Sequence, residues 1–169
     1  MTLHNQYDVF LSIIETHKGI IYKIAHSFCR DPDDQKDLAQ EIILKLWKSF
    51  ETYNQQSKHS TWFYQIALNV AISYYRKEKS RSNLNVPLSE NILNIADFDH
   101  NTQAEQKAFF LTQFLLELKE LDRALMILYL EERSHKEISG IMGISETNVA
   151  TKIGRIKVIL KQKFSKTEI

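Results

Sequence analysis

The chain has 169 residues, which suits one ordinary domain or two small ones. Its net charge of +1 argues against a protein that coats nucleic acid without specificity, and its single cysteine, Cys29, excludes an internal disulfide. Four glycines and two prolines are too few for the many turns of a β protein. The composition therefore predicts an all-α fold.

The N-terminal sequence MTLHNQYDVFLSI lacks the basic segment, apolar core and cleavage site of a signal peptide. No apolar run approaches the roughly 18 residues of a membrane-spanning helix. We therefore expect a cytoplasmic protein without membrane insertion. Cys29 lies in an apolar run, so we expect it to be a small core residue.

Helical spacing of apolar residues begins near Tyr7 and predicts two short helices, the first on Phe10, Ile13 and Ile14, the second on Ile20, Ile21, Ile24 and Phe28. A turn around Pro32 precedes a third helix that runs to about Phe50, with Asp33 or Asp34 as its cap. Residues 51–59 form a polar loop, and Ser60 or Thr61 is expected to cap a fourth helix that reaches about Lys79. Residues 1–80 are therefore a four-helix domain.

Residues 81–103 are rich in Ser, Asn and Asp around Pro87, which is typical of a linker. The helical pattern returns in residues 104–169, the predicted second domain. Within it, SHKEISGIMGISETNVATKIGRIKVILK predicts a helix-turn-helix with a turn at Gly143 and a second helix capped by Ser145.

The second helix of this motif has an apolar stripe, formed by Val149, Ile153, Ile156 and Leu160. The opposite face is polar and carries Thr147, Asn148, Thr151 and Arg155, with Lys152 at its flank. Residues 149–169 hold six Lys or Arg against one acid, a net charge of +5, whereas residues 111–148 hold four against seven, a net charge of −3. This pattern predicts a DNA-binding surface, because cations attract phosphates and Asn, Thr and Arg bond to base edges. The alternative is a solvated amphipathic helix in a plain bundle.

The third predicted helix has a core side, formed by Leu38, Ala39, Ile42, Leu46 and Phe50. Its other side carries Asp37, Gln40, Glu41, Leu44 and Trp47, and residues 31–41 hold five acids against one lysine, a net charge of −4. Apolar side chains among acids predict an interface with a basic protein surface. In the alternative interpretation Trp47 packs on a neighbouring helix, and the acids complement the helix dipole.

The fourth predicted helix packs Phe63, Ile66, Ala67, Val70 and Tyr74 inward. Its other side carries Trp62, Gln65, Asn69, Ser73 and Arg76, and Lys77, Lys79 and Arg81 follow. Aromatic rings stack on unpaired bases and cations hold the backbone, so this face predicts contact with DNA. Aromatic residues on amphipathic helices usually belong to the core, and Trp62 is the preferred exposed exception. At least two of the helix's five aromatic residues are expected to be purely structural: Trp62, Phe63, Tyr64, Tyr74 and Tyr75.

Three runs occur in the order found in the extracytoplasmic-function (ECF) subgroup of the large primary-type family of RNA polymerase sigma factors, which the chain resembles. They are DLAQEIILKLW at 37–47, STWFYQIALNVAISYYRK at 60–77 and KEISGIMGISETNVATKIGRIKVIL at 136–160. The resemblance implies sigma domain two in residues 1–80 and sigma domain four in residues 104–169. It also implies a factor that directs promoter-specific initiation without catalysis of its own.

The resemblance also implies roles for the faces described above. Asp37, Gln40, Glu41, Leu44 and Trp47 would dock on the clamp helices of the largest subunit of core polymerase, with the flap as a further contact. The loop 53–60 and Trp62, Gln65, Asn69, Ser73, Arg76 and Lys77 would capture and melt the minus-ten element. Lys136, Thr147, Asn148, Thr151, Lys152 and Arg155 would bind the minus-thirty-five element. An anti-sigma protein is a further expected partner.

The sequence departs from the family pattern at four positions. Ser73 stands where Asp is frequent, Ala150 where a basic residue is frequent, Asn148 where Thr is commoner before Val149, and Ser139 where Ala is usual. The base preferences of the family are therefore not transferred to this chain.

Two other classes of protein remain as alternatives. One is a free-standing DNA-binding regulator that dimerises through its first domain. The other is a metal-dependent or cysteine enzyme that uses Cys29 and the histidines His4, His17, His26, His59, His100 and His135. Their spacing matches no metal-ligand set, and the chain has no Gly-rich phosphate loop, so we expect no metal and no cofactor.

Overall fold

The protein is described by a computed structural model that covers residues 2–82 and 102–166. These residues form seven helices and no strand, which confirms the all-α prediction. The helices are α1 (Leu3–Phe28), α2 (Pro32–Phe50), α3 (His59–Ser82), α4 (Gln103–Glu117), α5 (Glu120–Leu130), α6 (His135–Met142) and α7 (Glu146–Lys166). We call α1–α3 the first half and α4–α7 the second half. Across the described residues, no helix has the length and hydropathy that crossing a membrane requires.

The first half contains three helices, so the prediction of four was wrong. Residues 3–28 form one continuous helix instead of two short ones. Phe10, Ile21, Ile24 and Phe28 lie at multiples of the helical repeat and are all buried on one side of α1. Gly19 is exposed within this helix, and an isolated glycine costs only about 1 kcal/mol relative to alanine. Packing along the whole stripe therefore outweighs the glycine.

The helix starts of α2 and α3 differ from those predicted. The side chain of Asp31, rather than Asp33 or Asp34, caps α2 by accepting hydrogen bonds from the backbone N–H groups of Asp33 (2.7 Å) and Asp34 (3.3 Å). The third helix begins at His59, so Ser60 and Thr61 lie inside its first turn. It continues to Ser82, two residues into the predicted linker, and residues 83–101 of that linker lie outside the described part of the chain.

Helix α5 lies at the centre of the molecule. Six consecutive residues, from Arg123 to Leu128, are buried, which requires neighbours on every side of the helix. It packs against α4, α6 and α7 of the second half and against α1 and α3 of the first half. The two halves therefore share one continuous core in this arrangement.

The helix-turn-helix has the predicted turn chemistry. A capping box between Ser134 and Glu137 starts α6, and Gly143 ends it with a φ of 69°. The side chain of Ser145 accepts a hydrogen bond from the N–H of Asn148 at 3.1 Å and so caps α7. The predicted apolar stripe of α7 faces the core, because Val149, Ile153 and Ile156 are buried.

Gly140 within α6 and Gly143 at its C-cap give a matched test of this turn. Gly143→Ala places a side chain at a positive φ and is expected to lower the free energy of unfolding by about 1–2 kcal/mol. Gly140→Ala, within the helix and with open space around a Cβ, is expected to raise it by about 1 kcal/mol. Urea unfolding followed by circular dichroism measures both. Equal stabilisation by the two substitutions would contradict the assigned turn.

Candidate protein and nucleic-acid interfaces

The outer face of α2 combines exposed acids with an exposed leucine. Leu38, Ala39, Ile42 and Leu46 are buried against the rest of the first half. Asp37, Gln40 and Glu41 therefore point to solvent, and Leu44 beside them is 52% exposed. A helix that buries one stripe does not need an apolar side chain on its opposite face. Leu44 is thus available to a partner.

Trp47 fits the alternative interpretation, in which it packs on a neighbouring helix, better than the expected exposure at an interface with another protein. Its ring lies 4.9 Å from that of Phe10 and 5.8 Å from that of Tyr7, centroid to centroid, so it packs against α1 and is half-buried. Its outer edge still lines a groove between α1 and α2, next to Gln40 and Leu44. Trp47 therefore mainly supports the exposed face by packing on α1, and it contributes little exposed surface to that face.

A second groove runs between α2 and α3. Its α3 wall presents the exposed residues Asn69, Ser73 and Lys77, which were predicted to contact DNA. The α2 wall presents Lys45 and Lys48, which the sequence analysis did not single out. The sequence pattern that could have identified Lys45 and Lys48 is their spacing of four and seven residues from Glu41, which places all three on one side of α2.

The prediction that Trp62 is exposed was wrong. Trp62 is only 6% exposed, and Tyr53 stacks on it with a centroid distance of 4.5 Å and an interplanar angle of 23°. The loop after α2 folds back over α3, and the hydroxyl of Tyr53 donates to the carbonyl of Ser57 in that loop. Trp62 therefore stacks on a ring of its own chain and is not open to a base. Gln65, on the same helix, is exposed as predicted.

Arg76 is exposed but already has a partner. Its Nε donates to Oε1 of Glu120, in α5, at 2.9 Å. This hydrogen bond is the main reason why the pKa of Glu120 lies below its ordinary value. One cation of the predicted DNA-contacting face is therefore bound to the second half.

The polar face of α7 is exposed as predicted. Thr147, Asn148, Thr151 and Arg155 all reach solvent, and Lys136 of α6 is exposed nearby in the same motif. Lys152 differs, because it is half-buried and its Nζ lies 3.9 Å from Oδ1 of Asp122. It turns toward α5, at the flank of the reading face.

The chemistry of Cys29 does not suit a nucleophile. The side chain is buried, and burial, with Asp34 as the next cause, raises the pKa of its thiol to about 12. The reactive thiolate is therefore scarce at neutral pH. Within residues 2–82 and 102–166, no group of three or more His, Cys, Asp or Glu is placed to hold a metal ion.

Comparison with known families divides the chain in the same way as the two halves. The Sigma-70 region 2 family matches residues 13–81, and the family called Sigma-70, region 4 matches residues 111–160. The first match covers most of α1 and all of α2, and ends within the last turn of α3. The second covers residues 111–117 of α4, all of α5 and α6, and the part of α7 that holds its buried residues.

Two proteins of Bacillus subtilis (strain 168) match nearly the whole chain. The ECF RNA polymerase sigma factor SigM is 30% identical over 155 residues, covering 91% of this chain and 94% of SigM. The RNA polymerase sigma factor SigV is 28% identical over 164 residues, covering 95% and 94%.

Two solved structures share the fold at 17% sequence identity. CnrH, in complex with the cytosolic domain of CnrY, has a TM-score of 0.68 over 96% of this chain and 91% of its own. The sigma factor RpoE from Bartonella quintana, in complex with the anti-sigma factor NepR, has a TM-score of 0.66 over 94% and 98%. With two matching sigma families and relatives of nearly full length, the chain belongs to the extracytoplasmic-function RNA polymerase sigma factors, which direct promoter-specific initiation of transcription.

Proposed function

We propose that the outer face of α2 is the surface that binds core RNA polymerase. The observation that carries this proposal is the 52% exposure of Leu44 beside Asp37, Gln40 and Glu41. An exposed leucine among acids suits a partner that offers an apolar patch surrounded by basic side chains. The clamp helices of the largest polymerase subunit are the expected partner, with the flap as a contact of the second half. Trp47 keeps the face rigid by its packing on α1.

We further propose that the groove between α2 and α3 receives the minus-ten element. Exposed amide and hydroxyl groups of Gln65, Asn69 and Ser73 suit unpaired bases, and Lys77 suits a phosphate. Lys45 and Lys48 add two cations on the opposite wall of the groove. Since Trp62 is covered by Tyr53, base capture in this arrangement depends on the polar groups of α3.

The minus-thirty-five element is assigned to the helix-turn-helix. Thr147, Asn148, Thr151 and Arg155 form the exposed face of α7, opposite its buried stripe, and suit base edges in a major groove. Lys136 and Lys152 lie beside this face and suit phosphates. Two weak DNA contacts held on one polymerase become strong together, as in any bivalent binding.

Three further assignments complete the proposal. The chain contributes binding and positioning and has no catalysis of its own, because melting is driven by captured bases and needs no nucleotide hydrolysis. It acts in the cytoplasm, where it meets core polymerase. An anti-sigma protein holds it inactive, which is supported by its likeness in fold to the sigma factor RpoE solved with the anti-sigma factor NepR.

The α2 face is tested by removing its charges without changing its shape. Asp37→Asn with Glu41→Gln is expected to weaken binding of the full chain to core polymerase by about tenfold or more, since both carboxylates face a basic partner. Binding is measured by fluorescence anisotropy with purified core enzyme. The control is Glu15→Gln with Glu51→Gln, which removes two exposed acids from elsewhere in the first half.

Equal affinities of these two variants would contradict the assigned surface. If the unaltered chain fails to bind core polymerase but protects a palindromic DNA site by itself, the free-standing regulator replaces the proposal.

The α2–α3 groove is tested by the salt dependence of promoter binding. Lys45→Gln with Lys48→Gln is expected to reduce the slope of log affinity against log salt by about 1.4, which is the release of two counterions from single-stranded DNA. The assay uses holoenzyme reconstituted from this chain and core polymerase. The promoter fragments are those that contain the start sites which the holoenzyme selects on genomic DNA. Lys107→Gln with Lys119→Gln is the charge-matched control. A loss of core affinity with an unchanged salt slope would assign both lysines to the polymerase interface.

The reading face of α7 is tested at Asn148. Asn148→Ala is expected to reduce initiation at minus-thirty-five-dependent start sites by the equivalent of about 1–3 kcal/mol, because it removes an amide suited to an adenine edge. Mapping of transcript 5′ ends measures both the loss and the relaxed sequence preference upstream. Gln162→Ala removes an exposed amide later in the same helix and should leave the start sites unchanged. Unaltered start sites in both variants would remove Asn148 from the reading face.

A further inference from the structure

One side chain holds the loop between α2 and α3 against α3. Within residues 51–58, all of which the structure describes, Tyr53 is the one residue that is not exposed. Its ring stacks on Trp62 at a centroid distance of 4.5 Å and lies 5.5 Å from the ring of His59. Its hydroxyl donates to the carbonyl of Ser57, which closes the loop on itself. The cover of Trp62 therefore depends on the position of Tyr53.

The backbone of the same loop is strained at one residue. Gln55 has a φ of 58°, in the left-handed region that is costly for a residue with a Cβ atom. The side chain of Asn54 accepts a hydrogen bond from the N–H of Gln56 at 3.2 Å, so the turn is supported only locally. A strained loop that lies against a helix through one ring opens at a low cost in free energy.

Two histidines from different helices lie next to Tyr53. The ring of His17 in α1 lies 6.0 Å from that of His59, the first residue of α3, and 5.1 Å from that of Phe63. Tyr53, His59 and His17 therefore form a continuous row of rings from the loop to α1. Histidine gains its positive charge between pH 5 and 8. The row that holds Tyr53 thus contains two groups whose charge changes near neutral pH.

The surroundings of the two histidines offer positive charge and no acid. The cavity beside them is lined by Tyr53, Lys58 and uncharged polar residues of the loop and α3, and no Asp or Glu is among these described residues. The first N–H groups of α3 place the positive end of the helix dipole at His59. On α1 itself, Glu15 is paired with Lys18 at 2.9 Å. A proton on either histidine therefore adds a charge among like charges.

The titration of His17 fixes the direction of the pH effect. Burial, with His59 as the next cause, lowers the pKa of His17 below its ordinary value. A histidine whose pKa is lowered in one conformation binds its proton more tightly when that conformation is lost. The closed loop is therefore favoured at neutral and higher pH, and it loses stability as the pH falls below the ordinary histidine pKa of about 6.5.

We propose that residues 51–58 are a proton-sensitive lid over Trp62, which is closed while His17 and His59 are uncharged and opens when they are protonated. The consequence for DNA rests on the proposed function. An open lid gives the minus-ten bases an aromatic surface beside Gln65, and every base has a face that stacks on such a ring. Capture of unpaired bases then becomes stronger as the pH falls.

The solvent accessibility of Trp62 measures the lid directly. Every protein tested carries Trp47→Phe, which leaves Trp62 as the only tryptophan of the full chain. Fluorescence quenching by acrylamide, which is uncharged, is measured from about pH 8 to about pH 5.5, where histidines change charge and most carboxylates do not. The quenching constant of Trp62 is expected to rise at least about twofold over this range. Circular dichroism verifies that the helix content stays constant.

Two variants identify the groups responsible. His17→Phe with His59→Phe keeps both rings but removes both proton acceptors, so Trp62 is expected to stay protected at every pH. Tyr53→Ala removes the covering ring, so Trp62 is expected to be accessible already at about pH 8, with no further rise in acid.

The control, His26→Phe with His135→Phe, makes the same change at two exposed histidines and is expected to keep the pH response. A quenching constant that does not rise in acid would overturn the proposal. So would a rise that persists without both proton acceptors, or protection that persists without the Tyr53 ring. Lower quenching in acid would show that the rings hold a charged imidazole by cation–π contact, and it would overturn the proposal as well.

The quenching experiment needs neither polymerase nor DNA, so a failure of the proposed function leaves its outcome intact. The consequence for base capture is measured separately, with holoenzyme and promoter DNA that is unpaired over the minus-ten element. The ratio of the affinity of the unaltered chain to that of the variant without both proton acceptors is expected to be at least about twofold higher at about pH 5.5 than at about pH 8. An equal ratio at both pH values would overturn the role of Trp62 in base capture.

Discussion

The last turn of α4 and its C-cap Leu118 direct three carbonyl groups at the junction with α5, and the guanidinium of Arg123 donates to all three. A charge can be buried only where such partners offset its lost hydration, and Phe28 and Tyr75 supply the remaining cover from the first half. The position of α5 follows from this requirement. Since α5 packs against both halves, the arrangement of the whole chain depends on the solvation of one side chain.

Features set by neighbouring residues were predictable from the sequence. The α6–α7 turn follows from Gly143 and Ser145, and the buried side of α2 follows from the spacing of its apolar residues. The prediction of two short helices in residues 3–28 failed for a related reason. The low helix propensity of Gly19 favours a break, whereas burial of an apolar stripe along the whole of α1 favours one continuous helix. The stabilisation from this burial exceeds the cost of the glycine.

Features set by distant residues were not predictable. A helical projection places Trp62 beside Gln65 on the polar side of α3, but Tyr53 from the preceding loop covers the ring. The same projection assumes that a helix has one buried side, whereas α3 packs against α1 and α2 on one side and α5 and α6 on another. Arg123 gave only a faint signal, as a charge at the start of an apolar run. The candidate faces on α2 and α7 were predictable because solvent surrounds them.

Arg76 belongs to two equilibria, because its guanidinium bonds to Glu120 in the structure and lies among the residues assigned to DNA. Ligands that compete for one group are thermodynamically linked, so the factor by which DNA weakens the hydrogen bond to Glu120 is also the factor by which that hydrogen bond weakens DNA binding. In the proposed assignment, natural selection therefore acts on both contacts of this position together. Under the proposed assignment of Arg76 to promoter DNA, a replacement at residue 76 changes both that DNA contact and the hydrogen bond to Glu120, and the two effects are inherited together.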